Sequence, residues 1–359
     1  MRIAQIAPLF ESVPPHSYGG TERVVSYLTE ELVREGHEVT LFASGDSKTA
    51  AELVPACPRA LRLHCPEDDP IAPHVLLVES AFREASRFDV IHSHIDYFPY
   101  SMIRRHPEMP ALTTLHGRLD LLSLIPLYKE FPDIPVVSIS AAQRAPLPWI
   151  NWRGTVHHGL PEGLHSFRPE PGKYLVFLGR ISPEKRPDAA IEIARRTGMP
   201  IKIAAKVDRP NQAYYKTTIE PMLRDPGVTF LGEIGEAEKG ELLGGAAALL
   251  FPIDWPEPFG LVMIEAMAKG TPVIAMRRGS VPEVILDGVN GFIVDDIDGA
   301  VSAIQNLPSL RRAVVRRVFE ERFTAARMAR DYLRLYRALV QEKERPARRY
   351  IDGARQSVE

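Results

Sequence analysis

ALLFPIDWPEPFGLVMIEAMAKGTPVIAM, residues 248–276, holds the reading that decides the fold. ALLFPI (248–253) is apolar without alternation, as a strand covered on both faces should be. Pro258 and Gly260 then break the chain, Leu261 to Lys269 reads as a helix, and PVIAM (272–276) opens another strand. Strand, helix, strand in that order points to parallel pairing with helices on the faces. Within it, EPFGLVMIE (257–265) sets two carboxylates, Glu257 and Glu265, at the ends of a run of apolar and small residues. Carboxylates seldom settle beside apolar runs without partners. In one unbroken helix, eight steps of ~100° would set them about 80° apart. The Pro and Gly place Glu257 in a loop instead, with Glu265 on an early turn of the helix that follows.

The pattern extends outward in both directions. In the second half, YLVFLG (174–179), PIKIAA (200–205), VTFLG (228–232) and GFIV (291–294) join as strands, with a helix expected over 186–197. In the first half, the strands are RIAQIA (2–7), EVTLFA (38–43), FDVIHSH (88–94), ALTTLH (111–116) and PVVSIS (135–140). Thr21 to Arg34 reads as a helix with Val24, Val25, Leu28, Leu32 and Val33 on one face, and Gly36 as its stop. Two such runs predict two doubly wound α/β domains, at 1–165 and 170–325, joined through the Pro- and Gly-rich stretch 160–173. Phe323, Met328, Tyr332, Leu335, Tyr336 and Leu339 form an apolar stripe in the helical tail. Two open sheets facing each other would turn their carboxyl edges toward a ligand cleft.

The bulk numbers agree. A chain of 359 residues exceeds what one core usually serves. With 45% hydrophobic and 25% charged residues and a formal net charge of −2, it reads as globular, with no field that argues for nucleic acid. Two cysteines, Cys57 and Cys65, make no disulfide scaffold, so a reducing cytoplasm is the expected home. The N-terminal MRIAQIAPLF reads as a strand and not a signal peptide, and no apolar run is long enough to span a bilayer.

Several loops carry chemistry. PLFESVPPHSYGG (8–20) is longer than the ~2–6 residues usual for a strand-to-helix connection, and Gly19-Gly20 lets backbone approach a ligand. The bland alternative is a flexible entry with Thr21 as N-cap. No GxGxxG and no GxxxxGK[ST] is present. GRISPEKRPD (179–188) follows a strand and brings Arg180 and Lys185 within reach of one anion, unless both are merely solvated. HSHID (92–96) and LHGR (115–118) end strands. His-x-His invites a metal, but no further ligands follow, and structural or hydroxyl-binding histidines are the other readings. Asp296 and Asp298 form a D-x-D string in which Asp298 is better explained as a helix N-cap than as a metal ligand. Cations for a diphosphate and carboxylates for hydroxyls at both ends describe a nucleotide sugar. The bland alternative is an exposed Glu257 and a Glu265 that caps or pairs with a cation; a glycosidase pair is a third reading, and its ~5–9.5 Å separation cannot be read from sequence.

At this point the residues resemble the retaining glycosyltransferases of family 4. EPFGLVMIEAMAKGTPVIA resembles their E-x7-E signature, and YGGTERVV, VIHSH, SIS, FLGRISPEK and VPEVILDGVNGFIV stand in family order. The resemblance implies the GT-B fold, two Rossmann-like domains with the donor on the second, the acceptor mainly on the first, and a C-terminal helix of about 326–359 crossing back. It implies Arg180 and Lys185 at the donor diphosphate, Glu265 at the ribose, Glu257 at the hexose and His116 at the reaction centre. Gly19, Gly20, Glu233, Phe259, Gly260 and Leu261 complete the donor contacts; Tyr18, His94 and Arg118 stand on the acceptor side. It implies a front-face transfer of a hexose from a UDP- or GDP-sugar to an acceptor hydroxyl, in glycan, glycolipid or small-molecule glycoside synthesis. No cofactor and no metal are expected. A nucleotide-sugar epimerase on the same fold and a non-catalytic nucleotide-sugar-binding protein are the rivals. The Arg-rich tail (Arg311, Arg312, Arg316, Arg317, Arg327, Arg330, Arg334, Arg337) offers two readings, a solvated helix face or a contact with anionic lipid at the inner face of the membrane. Base, hexose, acceptor and oligomeric state stay open.

Overall fold

The computed structural model describes residues 1–16, 19–64 and 69–356. By contact density the chain forms two compact units. One comprises Met1–Ile139, Arg144–His157 and Ala325–Glu359; the other comprises Ser140–Gln143 and His158–Thr324. The passage between them therefore comes at His157 and His158, earlier than the Pro- and Gly-rich stretch suggests.

The described residues of the first unit build a parallel sheet of β1 (Arg2–Ile6), β2 (Glu38–Ser44), β3 (Glu52–Cys57), β4 (Val90–Ser93), β5 (Ala111–Thr114), β6 (Val136–Ser138) and β7 (Trp152–Thr155), ordered β3-β2-β1-β4-β5-β6-β7. Central strands are buried on both faces, which is why they read as apolar runs. The edge strands β3 and β7 escaped the sequence reading. ELVPAC holds Pro55 and WRGT holds Gly154, residues that argue against a central strand and are tolerated at an edge. Gly154 is used for packing: a Cβ there would lie 3.2 Å from Leu335 of the helix Ala325–Gln356.

The helix Gly20–Arg34 buries Val24, Val25, Leu28 and Leu32, and leaves Val33 half-buried. It starts at Gly20 with Gly19 as the capping position, so Thr21 lies inside it and is not the N-cap. The helix Ala325–Gln356 belongs to the first unit and buries Met328, Tyr332, Tyr336 and Leu339 there. Phe323, the first residue of the expected stripe, belongs instead to the second unit, where it packs on Phe259.

The second unit repeats the plan with β8 (Tyr174–Arg180), β9 (Ile201–Lys206), β10 (Val228–Gly232), β11 (Ala246–Phe251), β12 (Val273–Met276) and β13 (Gly291–Val294), ordered β10-β9-β8-β11-β12-β13 and parallel throughout. The helices Pro187–Thr197 and Ile297–Gln305 cover one face around Ile191, Ile203, Leu250 and Ile304. Asp296, not Asp298, caps the second of these, its carboxylate accepting from the Gly299 N–H at 2.8 Å. Asp298 instead pairs with Arg196 at 2.6 Å.

Three of the eight tail arginines depart from both readings offered for them. Arg312 is buried and donates to the carbonyls of Arg168, Ala246, Gly244 and Lys269 and to Thr271 Oγ1, at 2.7–3.3 Å. Burial pushes its guanidinium down to about 10. Arg316 holds the carbonyls of Glu162, His165 and Ala268, and Arg327 that of His157. These three are backbone clamps, neither a solvated face nor a lipid contact. Arg311, Arg317, Arg330, Arg334 and Arg337 remain exposed. No helix of the described residues is long and apolar enough to cross a membrane.

Candidate active site

In each sheet the strand order reverses once, between β1 and β4 and between β8 and β11. Open parallel sheets bind ligands beyond the carboxyl ends of strands at such points. The loops after those four strands hold most of the residues singled out from sequence.

In the second unit, β8 ends at Arg180, and the turn Pro183–Lys185 follows. Arg180 stands 3.8 Å from Glu184 and 3.7 Å from Asp208, while its Nε is buried without a hydrogen bond. Lys185 turns elsewhere and pairs with Glu257 across the loop that follows β11. Trp255 Nε1 donates to the same carboxylate oxygen at 3.0 Å, and its ring lies 4.9 Å from the Lys185 ammonium. The two cations expected on one anion are thus held by separate acids. The Asp254 N–H donates to the Glu184 carbonyl at 2.9 Å, which ties the two loops together.

Backbone geometry seats Glu257. Gly279 has φ +49°, and a Cβ there would fall 2.3 Å from the Glu257 carbonyl oxygen and 2.4 Å from its nitrogen. The Ser280 N–H donates to that carbonyl at 3.0 Å, and Ser280 Oγ to the Phe259 carbonyl at 2.8 Å. The Phe259 side chain is buried between His158 and Phe323, so it holds the loop from inside. Gly260, at φ +81°, caps the helix Leu261–Ala268, whose first residue Leu261 is half-buried. Glu265 lies in its second turn, buried, with Lys239 Nζ at 2.6 Å. Lys239 also reaches Glu236 at 2.9 Å, which stands 3.5 Å from His165. Glu233 is exposed in the bend after β10. Both glutamates therefore carry a lysine, one before the start of this helix and one within it.

In the first unit, the period of a strand sets the pattern. Gln5 is the register partner of His92, and His94 and His116 lie two residues beyond His92 and Thr114. These five side chains line one face under the helix Ala325–Gln356. His94 Nδ1 lies 2.9 Å from His116 Nε2, and His94 Nε2 lies 2.8 Å from Gln5 Oε1. Gln5 Nε2 donates to Tyr336 OH at 3.1 Å. Tyr336 OH is 2.7 Å from His92 Nδ1, His92 Nε2 is 2.7 Å from Thr114 Oγ1, and Tyr332 OH is 2.9 Å from Thr114 Oγ1. Burial holds His116 and His92 well below the ordinary imidazole range, with the His116 charge adding to the effect at His92. The His-x-His pair thus serves a hydrogen-bonded chain, and no group of three His, Cys, Asp or Glu among the described residues is arranged to hold a metal.

Two groups here were missed by the sequence reading. Asp96 sits at φ +48° after β4, and burial pushes its carboxyl up to about 6 although the His116 backbone N–H opposes this. A left-handed Asp beside a candidate catalytic histidine is the kind of stored strain found at functional sites. Glu22, in the first turn of the helix Gly20–Arg34, is buried, and its carboxyl is pushed up to about 7 against hydrogen bonds from the Glu22 and Glu11 backbone. Glu11 pairs with Arg62 at 2.9 Å. The Gly19 backbone packs so close to Pro15 that a Cβ would lie 2.8 Å away, and Gly20 is half-buried. Arg118 is exposed and holds Asp120 in a fork, both bonds 2.7 Å. Tyr18 lies outside the described residues.

Residues 18–153 match the family described as Glycosyltransferase Family 4, and residues 165–311 the family described as Glycosyl transferases group 1. The phosphatidyl-myo-inositol mannosyltransferase of Mycolicibacterium smegmatis is 25% identical over 372 aligned positions, covering 94% of this chain and 93% of the relative. Among solved structures, AviGT4, a glycosyltransferase involved in avilamycin A biosynthesis, superposes with a TM-score of 0.72 at 23% identity, over 95% of this chain and 98% of that one. Anabaena Alr3699/HepE in complex with UDP and glucose superposes with a TM-score of 0.71 at 18% identity, over 94% and 100%. The fold is that of the GT-B glycosyl-transferring enzymes. The two matched stretches together mark a glycosyltransferase of the family 4 type.

Proposed function

We propose that this chain moves a hexose from a UDP- or GDP-hexose to an acceptor hydroxyl, with retention at the anomeric carbon and without a metal. One observation carries the reading: Glu257 and Glu265, around the start of one helix after β11, each hold a lysine. A diphosphate draws cations away from carboxylates and leaves the carboxylates to accept from hydroxyls. Lys185 and Arg180 then take the diphosphate, Glu257 the hexose and Glu265 the ribose. The helix start at Gly260 and Leu261 adds a favourable dipole for the anion.

Transfer breaks the bond from the anomeric carbon to the diphosphate oxygen and forms one to the acceptor oxygen on the same face. The acceptor proton passes to a phosphate oxygen. Charge developing on the leaving diphosphate is stabilised by Arg180 and Lys185. His116 stands at the reaction centre in this proposal. The mycolicibacterial relative is named for phosphatidyl-myo-inositol mannosyl transfer, which supports a lipid-linked or inositol-type acceptor among the candidates.

The test is NMR-monitored turnover of UDP-, GDP- and ADP-hexoses with and without candidate acceptors. The expected result is consumption of one donor, dependent on acceptor, giving a product of unchanged anomeric configuration. An epimer formed from donor alone would replace the proposal with an epimerase. No thermal stabilisation by any nucleoside diphosphate, together with no turnover, would replace it with a chain that has lost the donor site.

A further inference from the structure

We propose that Gln5 and Tyr336 are positioning residues for His116, fixing its ring as the Nε2–H tautomer through His94. The proposal rests on the place given to His116 in the preceding section.

The argument follows the hydrogens. Gln5 Oε1 can only accept, so His94 donates to it from Nε2 at 2.8 Å. A neutral His94 then has its lone pair on Nδ1, and His116 donates to that atom from Nε2 at 2.9 Å. The lone pair of the His116 ring is thereby left on Nδ1, so the ring offers an acceptor and not a donor on that side. The sense of the whole chain depends on which way the Gln5 amide is turned, because the reversed amide would send every proton the other way.

Tyr336 is the group that meets the other end of the amide, and we infer that its bond to His92 fixes which way the amide is turned. Gln5 Nε2 donates to its hydroxyl at 3.1 Å, and in the direction proposed that hydroxyl donates on to His92 Nδ1, 2.7 Å away. His92 then donates from Nε2 to Thr114 Oγ1 at 2.7 Å, where Tyr332 closes the chain at 2.9 Å. Gln5, His92, Tyr332 and Tyr336 are each no more than 1% exposed, and Gln5, His94, His92 and Thr114 all stand on strands or strand ends that cannot swing. A buried chain of this kind tolerates one consistent direction of donation at a time. Both tyrosines come from the helix Ala325–Gln356, so an element more than two hundred residues away in sequence sets the hydrogen-bonding sense of His116.

The experiment is long-range proton–nitrogen NMR of the full chain labelled at its histidine ring nitrogens, with the His116 signals assigned by their loss in His116→Gln. The wild-type chain is expected to show His116 as a single Nε2–H tautomer. Tyr336→Phe, and Gln5→Met as the second variant, are expected to populate the Nδ1–H form. They should also lower kcat roughly ten- to hundredfold with the donor KM within about twofold. A wild-type Nδ1–H signal, an unchanged tautomer in both variants, or an unchanged kcat where the tautomer shifts would each overturn the proposal. Normal turnover of His116→Gln would instead remove His116 from the reaction centre and leave the tautomer measurement to stand on its own.

Discussion

Lys185 and Glu257, 72 residues apart in the chain, hold each other as an ion pair, with Trp255 donating to the same carboxylate oxygen. The pair joins the loop after β8 to the loop after β11, and each member is mostly buried. Lys185→Ala removes a cation from the proposed diphosphate site and leaves Glu257 with one donor fewer. Turnover should fall about 100-fold or more, and the melting temperature should drop by only a few degrees, because Trp255 still holds the carboxylate. Initial rates and a melting curve on the same preparation check both parts. Near-normal rates would remove Lys185 from the site.

Gly279 lies against the Glu257 backbone, where a Cβ has no room and where φ is +49°. Gly279→Ala is expected to displace Glu257 and weaken hexose-dependent binding far more than binding of the bare nucleoside diphosphate. Calorimetry with the nucleotide and with the nucleotide sugar separates the two, and equal losses on both would refute the local account.

Glu22 gives a pH signature. Its folded value of about 7 stands above its ordinary 4.5, so the native chain binds this proton more tightly than the unfolded one. The contribution is fully present below about pH 4.5, declines as pH rises toward 7, and is gone above that. The difference amounts to about 3 kcal/mol. Glu22→Gln cannot ionise, so the stability gap between wild type and variant should change by about that amount from pH 4.5 to 7.5, in favour of the variant at the higher pH. A gap that stays constant across the range would sink the assignment.

Arg312 clamps four carbonyls and a hydroxyl in the second unit. Arg312→Met leaves buried acceptors without their donor, at a cost of about 3 kcal/mol or more. The melting temperature should fall by several degrees while the nucleotide Kd of the folded fraction stays within about twofold. A large loss of affinity at unchanged stability would contradict the structural role.

The parallel sheets were legible because strands covered on both faces must be apolar throughout, as ALLFPI and EVTLFA are. β3 and β7 were not, because edge strands accept Pro55 and Gly154 and lose that signature. At the site, residue types and loop positions were readable for Arg180, Lys185, Glu257 and Glu265. Their pairing was not: Lys185 meets Glu257 and Arg180 meets Asp208 through contacts of long sequence separation. Asp96 and Gly279 depend on backbone angles that no single residue type announces. His92 and His94 stood out as His-x-His, but their meaning lies with Tyr332 and Tyr336, which read from sequence as plain apolar stripe.

The first unit is built from segments on either side of the second in sequence. During synthesis the strand that carries Gln5 emerges before the second unit and the helix that carries Tyr336 only after it. Until then the buried histidines have no tyrosine hydroxyl to meet and the apolar bed for that helix is open to water. A ribosome that stops early therefore releases a chain whose second unit can be complete while its first is not. The helix Ala325–Gln356 thus completes the first unit after the second, since Gln5, His92 and Thr114 meet their tyrosine hydroxyls only once it has been made.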